Sequence, residues 1–202
     1  MEVFQMELFD FFRWDIIWNY RELYIKGIWA TIVLTLSGYL GGVFFGLFLG
    51  LGQVSKKKWI YWPCKIYVDV FRGTPMLVQL LLIHLAVIPT ILGHSMGWWV
   101  SGIVGLILTS AAYNAEIFRA GIQSIDKGQM EAARSLGLTP AQAMRKVILP
   151  QAFRRMIPPL GNEFIALLKD SSLLTVIAGA EILYVSKVVA GTYQRFWEPY
   201  LF

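Results

Sequence analysis

Long apolar runs separated by short charged ones dominate this chain. No side chain is ionised between Lys26 and Lys56, and between Arg72 and Glu116 the only groups that titrate near neutrality are His84 and His94. A helix that crosses a bilayer needs about 20 apolar residues, so the first run holds one span and the second holds two. Span one is predicted over "GIWATIVLTLSGYLGGVFFGLFLGL", span two from about Met76 to Leu92, and span three from about Trp98 to Tyr113, its helix continuing towards Arg119. Gly73 and Pro75 in "FRGTP" bend or start span two. "PTILGHSMG" supplies the turn into span three, where Trp98 and Trp99 take an interfacial aromatic position. A fourth span is predicted from about Pro158 to Ala180, with Pro150, Pro158 and Pro159 breaking regular helix before it. The tail "GTYQRFWEPYLF" ends as another apolar stretch begins, so no fifth span is expected.

Within span one, Gly38, Gly42, Gly46 and Gly50 recur every fourth residue and share one helix face, which lets another helix approach closely. Ahead of it, "FDFFRWDIIWNYRELYIKG" alternates aromatic and charged residues, the pattern of an amphipathic segment lying at the membrane interface.

Composition agrees with this pattern. Of 202 residues, 56% are hydrophobic and 15% charged, too apolar for a water-soluble domain to hide in one core. The expected fold class is an all-α integral membrane protein, a multi-span helical bundle. A pI near 9.4 raises nucleic acid as a partner, but the basic residues flank the spans, where the positive-inside rule has them, and no nucleic-acid surface is expected. "SKKKW", Lys65 and Arg72 lie between spans one and two; Arg119, Lys127, Arg134, Arg145, Lys146, Arg154 and Arg155 follow span three. Both connections are therefore predicted in the cytoplasm. The N-terminal segment, with Glu2, Glu7, Asp10, Asp15 and Glu22, and the loop around Gly93 to Gly97 are predicted outside. The N-terminus lacks the basic start and small-residue cleavage site of a secretory signal. Cys64 is a lone cysteine that forms no internal disulfide, and no Cys/His cluster has zinc-ligand spacing.

The stretch "EAARSLGLTPAQAMRKVILP" interrupts the apolar rhythm. Glu131, Ala132, Ala133 and Arg134 favour helix, and Gly137 is placed for a left-handed stop. Thr139 is the expected N-cap of a second helix, with Pro140 at its first position and Gln142 completing a capping box. Two short helices are predicted to meet at Gly137. Ala132, Ala133, Leu136, Leu138, Met144 and Val147 offer apolar anchors for a partner groove.

Span four carries Asn162, Glu163 and then "KDSS" at Lys169, Asp170, Ser171 and Ser172. Ionisable groups at membrane depth face a water-filled path or one another. Lys169 and Asp170 are adjacent, about 100° apart on a regular helix, so each is expected to find its own partner or water. A zwitterionic solute needs acceptors for its ammonium and donors for its carboxylate, and Asn162, Glu163, Lys169, Asp170 and Ser171 offer both. Catalytic motifs are missing from the sequence: there is no Gly-x-x-x-x-Gly-Lys-Ser/Thr phosphate loop, no nucleophile elbow and no His-Glu-x-x-His. Glu116, Glu163, Asp170 and Glu181 sit in separate segments with no histidine near them in sequence, so no enzyme is expected.

Glu131, Ala132, Ala133, Gly137, Val147, Leu149 and Pro150 match a signature of Glu-Ala-Ala, Gly four residues on, then a branched aliphatic, any residue, Leu and Pro. On it the chain resembles the permease subunits of bacterial ATP-binding-cassette importers, with Val147 where isoleucine is commoner. "FRGTPMLVQLLL", "SAAYNAEIFRAGIQSI" and "GNEFIALLKDSSLLTVIAGAE" resemble the branch that imports polar amino acids. The resemblance implies one permease domain over 1–202 with a cytoplasmic coupling loop over 128–150, and a family core of five spans of which the last is cut short here. It implies a multi-pass protein of the bacterial inner membrane, with Glu131, Ala132, Ala133, Gly137, Leu138, Val147, Leu149 and Pro150 coupling to a separate ATPase. The implied partners are two ATPase subunits that use ATP and magnesium, a second permease subunit (the same chain or a sister), an extracytoplasmic solute-binding protein and an amino-acid substrate. No cofactor or metal is expected in this chain. Glu163 is expected to bias the path towards cationic side chains. The reading opposed to this is an ion-gradient-driven carrier, although no internal repeat of the kind carriers show is found; a purely scaffolding subunit would not need the signature.

Overall fold

The computed structural model of the chain describes residues 12–201, and every regular element among them is helical. The acidic N-terminal positions Glu2, Glu7 and Asp10 lie outside the described residues. A short helix, α1 (Trp14–Asn19), leads through Tyr20 into α2 (Arg21–Val54). At 34 residues α2 is about 51 Å long and overshoots a hydrocarbon core of about 30 Å. The expected interfacial segment is thus divided: α1 stands apart, but Arg21 to Lys26 begin the spanning helix. No glycine or proline interrupts the chain there, and Tyr24 is anchored in a cluster with Ile16, Ile17, Val185 and Val189.

The glycine face of α2 packs along α5 (Gly97–Gln123). A Cβ at Gly38, Gly42, Gly46 or Gly50 would collide with Leu106, Ser110, Asn114 and Phe118 in turn. Numbers rise together on the two helices, so they run parallel, and the chain between them must return across the bundle. Without side chains on one partner the backbones approach closely, and dispersion contacts accumulate along the seam. The opposite face of α2 carries Leu40, Phe44 and Phe48, all exposed. Within its apolar window α5 is 56% buried against 28% for α2, which makes α5 the central helix.

The return is a broken element. Residues expected as a basic loop instead form α3 (Lys58–Gly73), which meets α4 (Met76–Leu92) at a 107° bend. The polar positions Lys58, Tyr61, Lys65, Asp69 and Arg72 recur at helical spacing, so the charges mark a polar face rather than a loop. Gly73, Thr74 and Pro75 make the bend as predicted, since the residue before a proline is pushed to extended backbone: Thr74 has ψ 143°. A π turn at Ile83–Val87 lies within α4, and Gly93 and Gly97, both at positive φ, turn the chain into α5.

After α5 come α6 (Lys127–Ser135) and α7 (Pro140–Ala143), then a π turn at Met144–Ile148 that feeds α8 (Leu149–Asp170). Pro158 and Pro159, expected to break helix, lie inside α8. Packing holds both sides of the pair: Ala152 and Met156 are buried in a cluster with Phe118 and Ile122, and Tyr39 donates its hydroxyl to the Leu160 carbonyl at 3.0 Å. Pro150 sits in the first turn of α8, where a missing N–H costs nothing. α8 runs antiparallel to α5, with Met156 against Gly121 at one end and, just past its other end, Leu174 against Gly102. A 3-10 turn (Ser171–Ile177) and Ala178, at positive φ, lead to α9 (Ile182–Tyr193), which the sequence reading left unassigned, and to α10 (Trp197–Leu201). Among the described residues, two helices are long and apolar enough to cross a membrane, and up to four crossings result if each bent pair, α3 with α4 and α7 through α9, counts as one.

Candidate functional site

The hairpin at one end of the bundle is specified residue by residue. Asp126 caps α6, accepting from the Gly128 N–H at 2.7 Å. At its other end Leu138 N–H donates to the Ala133 carbonyl at 3.2 Å and Gly137 N–H to the Arg134 carbonyl at 2.9 Å, the paired bonds of a Schellman stop. Gly137 has φ +86°, a conformation that glycine adopts without a Cβ penalty. Thr139 and Gln142 then form the predicted capping box: Thr139 N–H donates to Gln142 Oε1 at 2.9 Å and Gln142 N–H to Thr139 Oγ1 at 3.3 Å.

The apolar residues of the hairpin divide between two faces. Ala133, Ala143 and Ile148 are buried, and Met130, Met144 and Val147 pack on the core beneath with Phe118, Ile122 and Ile125. Leu136, 84% exposed, projects from the tip. Glu131, Ala132, Gly137, Leu149 and Pro150 are exposed, while Leu138 and Val147 are half-buried. Of the six expected anchors, then, only Ala132 and Leu136 face fully outward, and Ala133, Met144 and Val147 hold the hairpin to its own chain. Gln151 ties the start of α8 to α6, donating to Gln129 Oε1 at 3.2 Å, and the Arg155 guanidinium donates to the Ser124 carbonyl at 2.5 Å. Between the hairpin and the end of α5 lies a cavity of about 440 Å³, bordered by Ile122, Ile125, Met130, Met144 and Ile148.

The polar set of α8 is carried on the same rigid helix. Glu163 and Asp170 are half-buried and seven residues apart, which puts them on one face, each within reach of the other's charge; Arg72 of α3 is a third charge in that field. Asn162 and Lys169 are exposed. None of these four side chains forms a hydrogen bond or ion pair with another described residue; the Lys169 backbone carbonyl accepts from the Ser172 hydroxyl at 2.6 Å. Ser171 differs: it is buried and donates its hydroxyl to the Leu168 carbonyl at 2.8 Å, so its side chain serves the start of the 3-10 turn. The other carboxylates have structural duties. Glu181 accepts from the N–H groups of Leu183 and Tyr184 as the cap of α9, and Glu116 pairs with Arg119 at 2.5 Å and Arg72 at 3.8 Å. The sequence reading missed the Arg72–Glu116–Arg119 cluster, although Glu116 and Arg119 stand three apart on one helix face. Among the described residues, no group of three or more His, Cys, Asp or Glu side chains is placed to hold a metal ion.

An all-helical bundle with apolar outer faces, a half-buried polar stretch on α8 and a capped hairpin at one end has the build of a helical membrane-spanning subunit. The chain belongs to the family of binding-protein-dependent transport system inner membrane components, whose family model matches residues 42–194. It is 39% identical over 185 residues to the probable amino-acid ABC transporter permease protein YckA of Bacillus subtilis (strain 168), covering 89% of this chain and 81% of that one. To the probable glutamine ABC transporter permease protein GlnM of the same organism it is 35% identical over 188 residues, covering 93% and 86%. A crystal structure of an amino acid ABC transporter with histidines superimposes with a TM-score of 0.87 at 42% identity, over 94% of this chain and 88% of that one. The chain is thus a permease subunit of an ABC importer, a multi-pass protein of the inner membrane, and ATP hydrolysis belongs to partner subunits.

Proposed function

We propose that this permease imports polar amino acids, with a bias towards basic ones, and that its hairpin transmits the work of a partner ATPase to the polar face of α8. One observation carries the reading: α8 is continuous from Leu149 to Asp170, so a single rod about 33 Å long joins the capped hairpin to Glu163 and Asp170. A push at the hairpin must move the polar face, because packed helices shift as rigid bodies. Glu131, Ala132, Leu136, Gly137, Leu138, Leu149 and Pro150 form or border the surface that meets the ATPase, with Leu136 as its apolar anchor; Ala133 and Val147 act from beneath by fixing the hairpin's angle. Asn162, Glu163, Lys169 and Asp170 line the path and hold the solute's ammonium and carboxylate groups, and Ser171 shapes the backbone where the path meets the 3-10 turn.

The hairpin end lies in the cytoplasm and the α1 end outside, in keeping with the basic residues around α3 and α6. Two ATPase subunits, which use ATP and magnesium, a second permease subunit and an extracytoplasmic binding protein complete the transporter. The histidines named for the superimposed structure and the glutamine named for GlnM both fit a path for polar amino acids. Uptake into vesicles holding the complete transporter tests this: it is expected to require ATP and to persist when proton and sodium gradients are collapsed. Uptake that follows an ion gradient and ignores ATP contradicts it.

A further inference from the structure

A further cavity, polar and of about 270 Å³, opens at the hairpin end between α2, α3 and α5, sharing Arg72 with the field of Glu163. It is bordered by Lys65, Asp69, Arg72, Glu116, Arg119 and Gln53. Gln53 is 7% exposed, and its side-chain N–H2 has no partner among the described residues. A buried donor left unpaired is destabilising, and a ligand acceptor would remove that penalty. Donors and acceptors of both signs remain around it. Lys65 gives one of three N–H groups to Asp69 Oδ2 at 2.8 Å, and Arg72 approaches Glu116 only at 3.8 Å. Asp69 keeps a second carboxylate oxygen. Three cations face two carboxylates, so the cavity holds one surplus positive charge. A simple cation is therefore disfavoured, and a molecule with a carboxylate for Gln53, Lys65 and Arg72 and an ammonium for Asp69 matches the groups left open. The volume lies just below the usual ligand pocket of about 300–1,000 Å³, which suits a molecule no larger than a single amino acid.

We propose that this cavity is a second binding site, which takes a free zwitterionic amino acid from the cytoplasmic side and slows further uptake when that amino acid has accumulated. Occupancy would tie α3 to α2 and α5 on the hairpin side of the bend, opposing the rearrangement that transport requires. The inference rests on the reading of the chain as an amino-acid permease with a cytoplasmic hairpin.

The test uses vesicles holding the complete transporter, with uptake driven by ATP while the transported amino acid, unlabelled, is raised on the ATPase side. Uptake is expected to fall as that concentration rises, and the half-inhibiting concentration to increase about tenfold in Gln53→Leu and in Asp69→Asn, each losing about one charge-assisted bond. Uptake without added amino acid on that side is expected to be unchanged in both variants. Asp69 lies 58% exposed, so its variant serves even where Gln53→Leu fails to fold. No slowing in the native transporter overturns the proposal, as does slowing that both variants share in full. Dependence on anionic phospholipid in the vesicle, lost in the same variants with no response to amino acid, also overturns it and gives the cavity to a lipid headgroup. Absence of ATP-driven uptake of any amino acid contradicts the permease reading itself, a result distinct from these.

Discussion

Thr109 of α5 donates its hydroxyl to Gln79 Oε1 at 2.8 Å, and the amide N–H2 of Gln79 donates in turn to the carbonyls of Phe71 and Thr74 at 2.7 and 2.9 Å. One buried side chain thus closes the 107° bend between α3 and α4 and pins it to the central helix. The carbonyls at a break in a membrane helix lose their intrahelical partners, and a side chain must replace them because lipid cannot. Gln79→Leu is expected to lower stability by about 1–3 kcal/mol, since it strands two carbonyls and a hydroxyl. Thermal unfolding in detergent measures this; an unchanged midpoint contradicts the pin.

The seam between α2 and α5 makes a paired prediction. A Cβ at Gly46 would stand 2.7 Å from Asn114 Cβ and 2.9 Å from the Ala111 carbonyl oxygen, whereas one at Gly191 meets nothing within 4 Å. Gly46→Ala is expected to cost about 1–3 kcal/mol through overpacking, and Gly191→Ala to be neutral or stabilising by about 0.5–1 kcal/mol. Equal unfolding midpoints for the two variants contradict the close approach.

At the hairpin, space and conformation separate cleanly. Nothing lies within 4 Å of a Cβ at Gly137, so a substitution there is opposed by its φ of +86° and not by crowding. Gly137→Val is expected to abolish uptake and stimulated ATP hydrolysis while the protein still reaches the membrane; Gly137→Asn, which tolerates positive φ, is expected to keep most activity. Coupled activity retained in the valine variant contradicts the proposed role of the turn.

The proposed path has its own test. With Glu163→Gln the preference among basic, neutral and acidic amino acids is expected to shift away from basic ones. Competition uptake assays read the shift, and an unchanged rate together with an unchanged preference removes Glu163 from the path.

At the opposite end of the bundle, Glu198 is buried and accepts from the Arg13 backbone N–H at 2.9 Å and from Arg195 Nε at 2.8 Å. The Arg195 guanidinium holds the carboxyl down to about 2, from an ordinary value of 4.5. A carboxyl whose pKa is depressed by folding stabilises above its unfolded pKa and stops doing so as pH falls through the folded one. The junction of α1 with α10 is therefore expected to loosen between about pH 4.5 and pH 2, read as faster backbone hydrogen exchange at Arg13. In Glu198→Gln that exchange is expected to be fast already at neutral pH and to lose its acid dependence.

How much of this was legible from residues alone follows from which forces act locally. The hairpin was legible almost atom by atom, because Gly137, Thr139, Pro140 and Gln142 act on their own neighbours in sequence. The glycine face was legible as a face, but its partner α5 was not, since spacing gives a side of a helix and not what covers it. At α3 charge points the wrong way: Lys58, Lys65 and Arg72 read as loop signals, although the polar positions keep helical spacing. Prolines misled at α8, where Ala152 and Met156 on one side and the Tyr39 to Leu160 bond on the other hold a helix that local preference opposes. Gln53, Gln79 and the Arg72–Glu116–Arg119 cluster join residues far apart in the chain, and only packing brings them together.

The central claim is that the hairpin works in the cytoplasm against a partner ATPase, and cysteine accessibility at its tip tests it most directly. In a Cys64→Ser background, a cysteine in place of Leu136 is expected to resist a membrane-impermeant maleimide in intact cells, to react once the membrane is opened, and to be shielded when the ATPase subunits are present. Labelling from outside intact cells contradicts the orientation and the coupling role together.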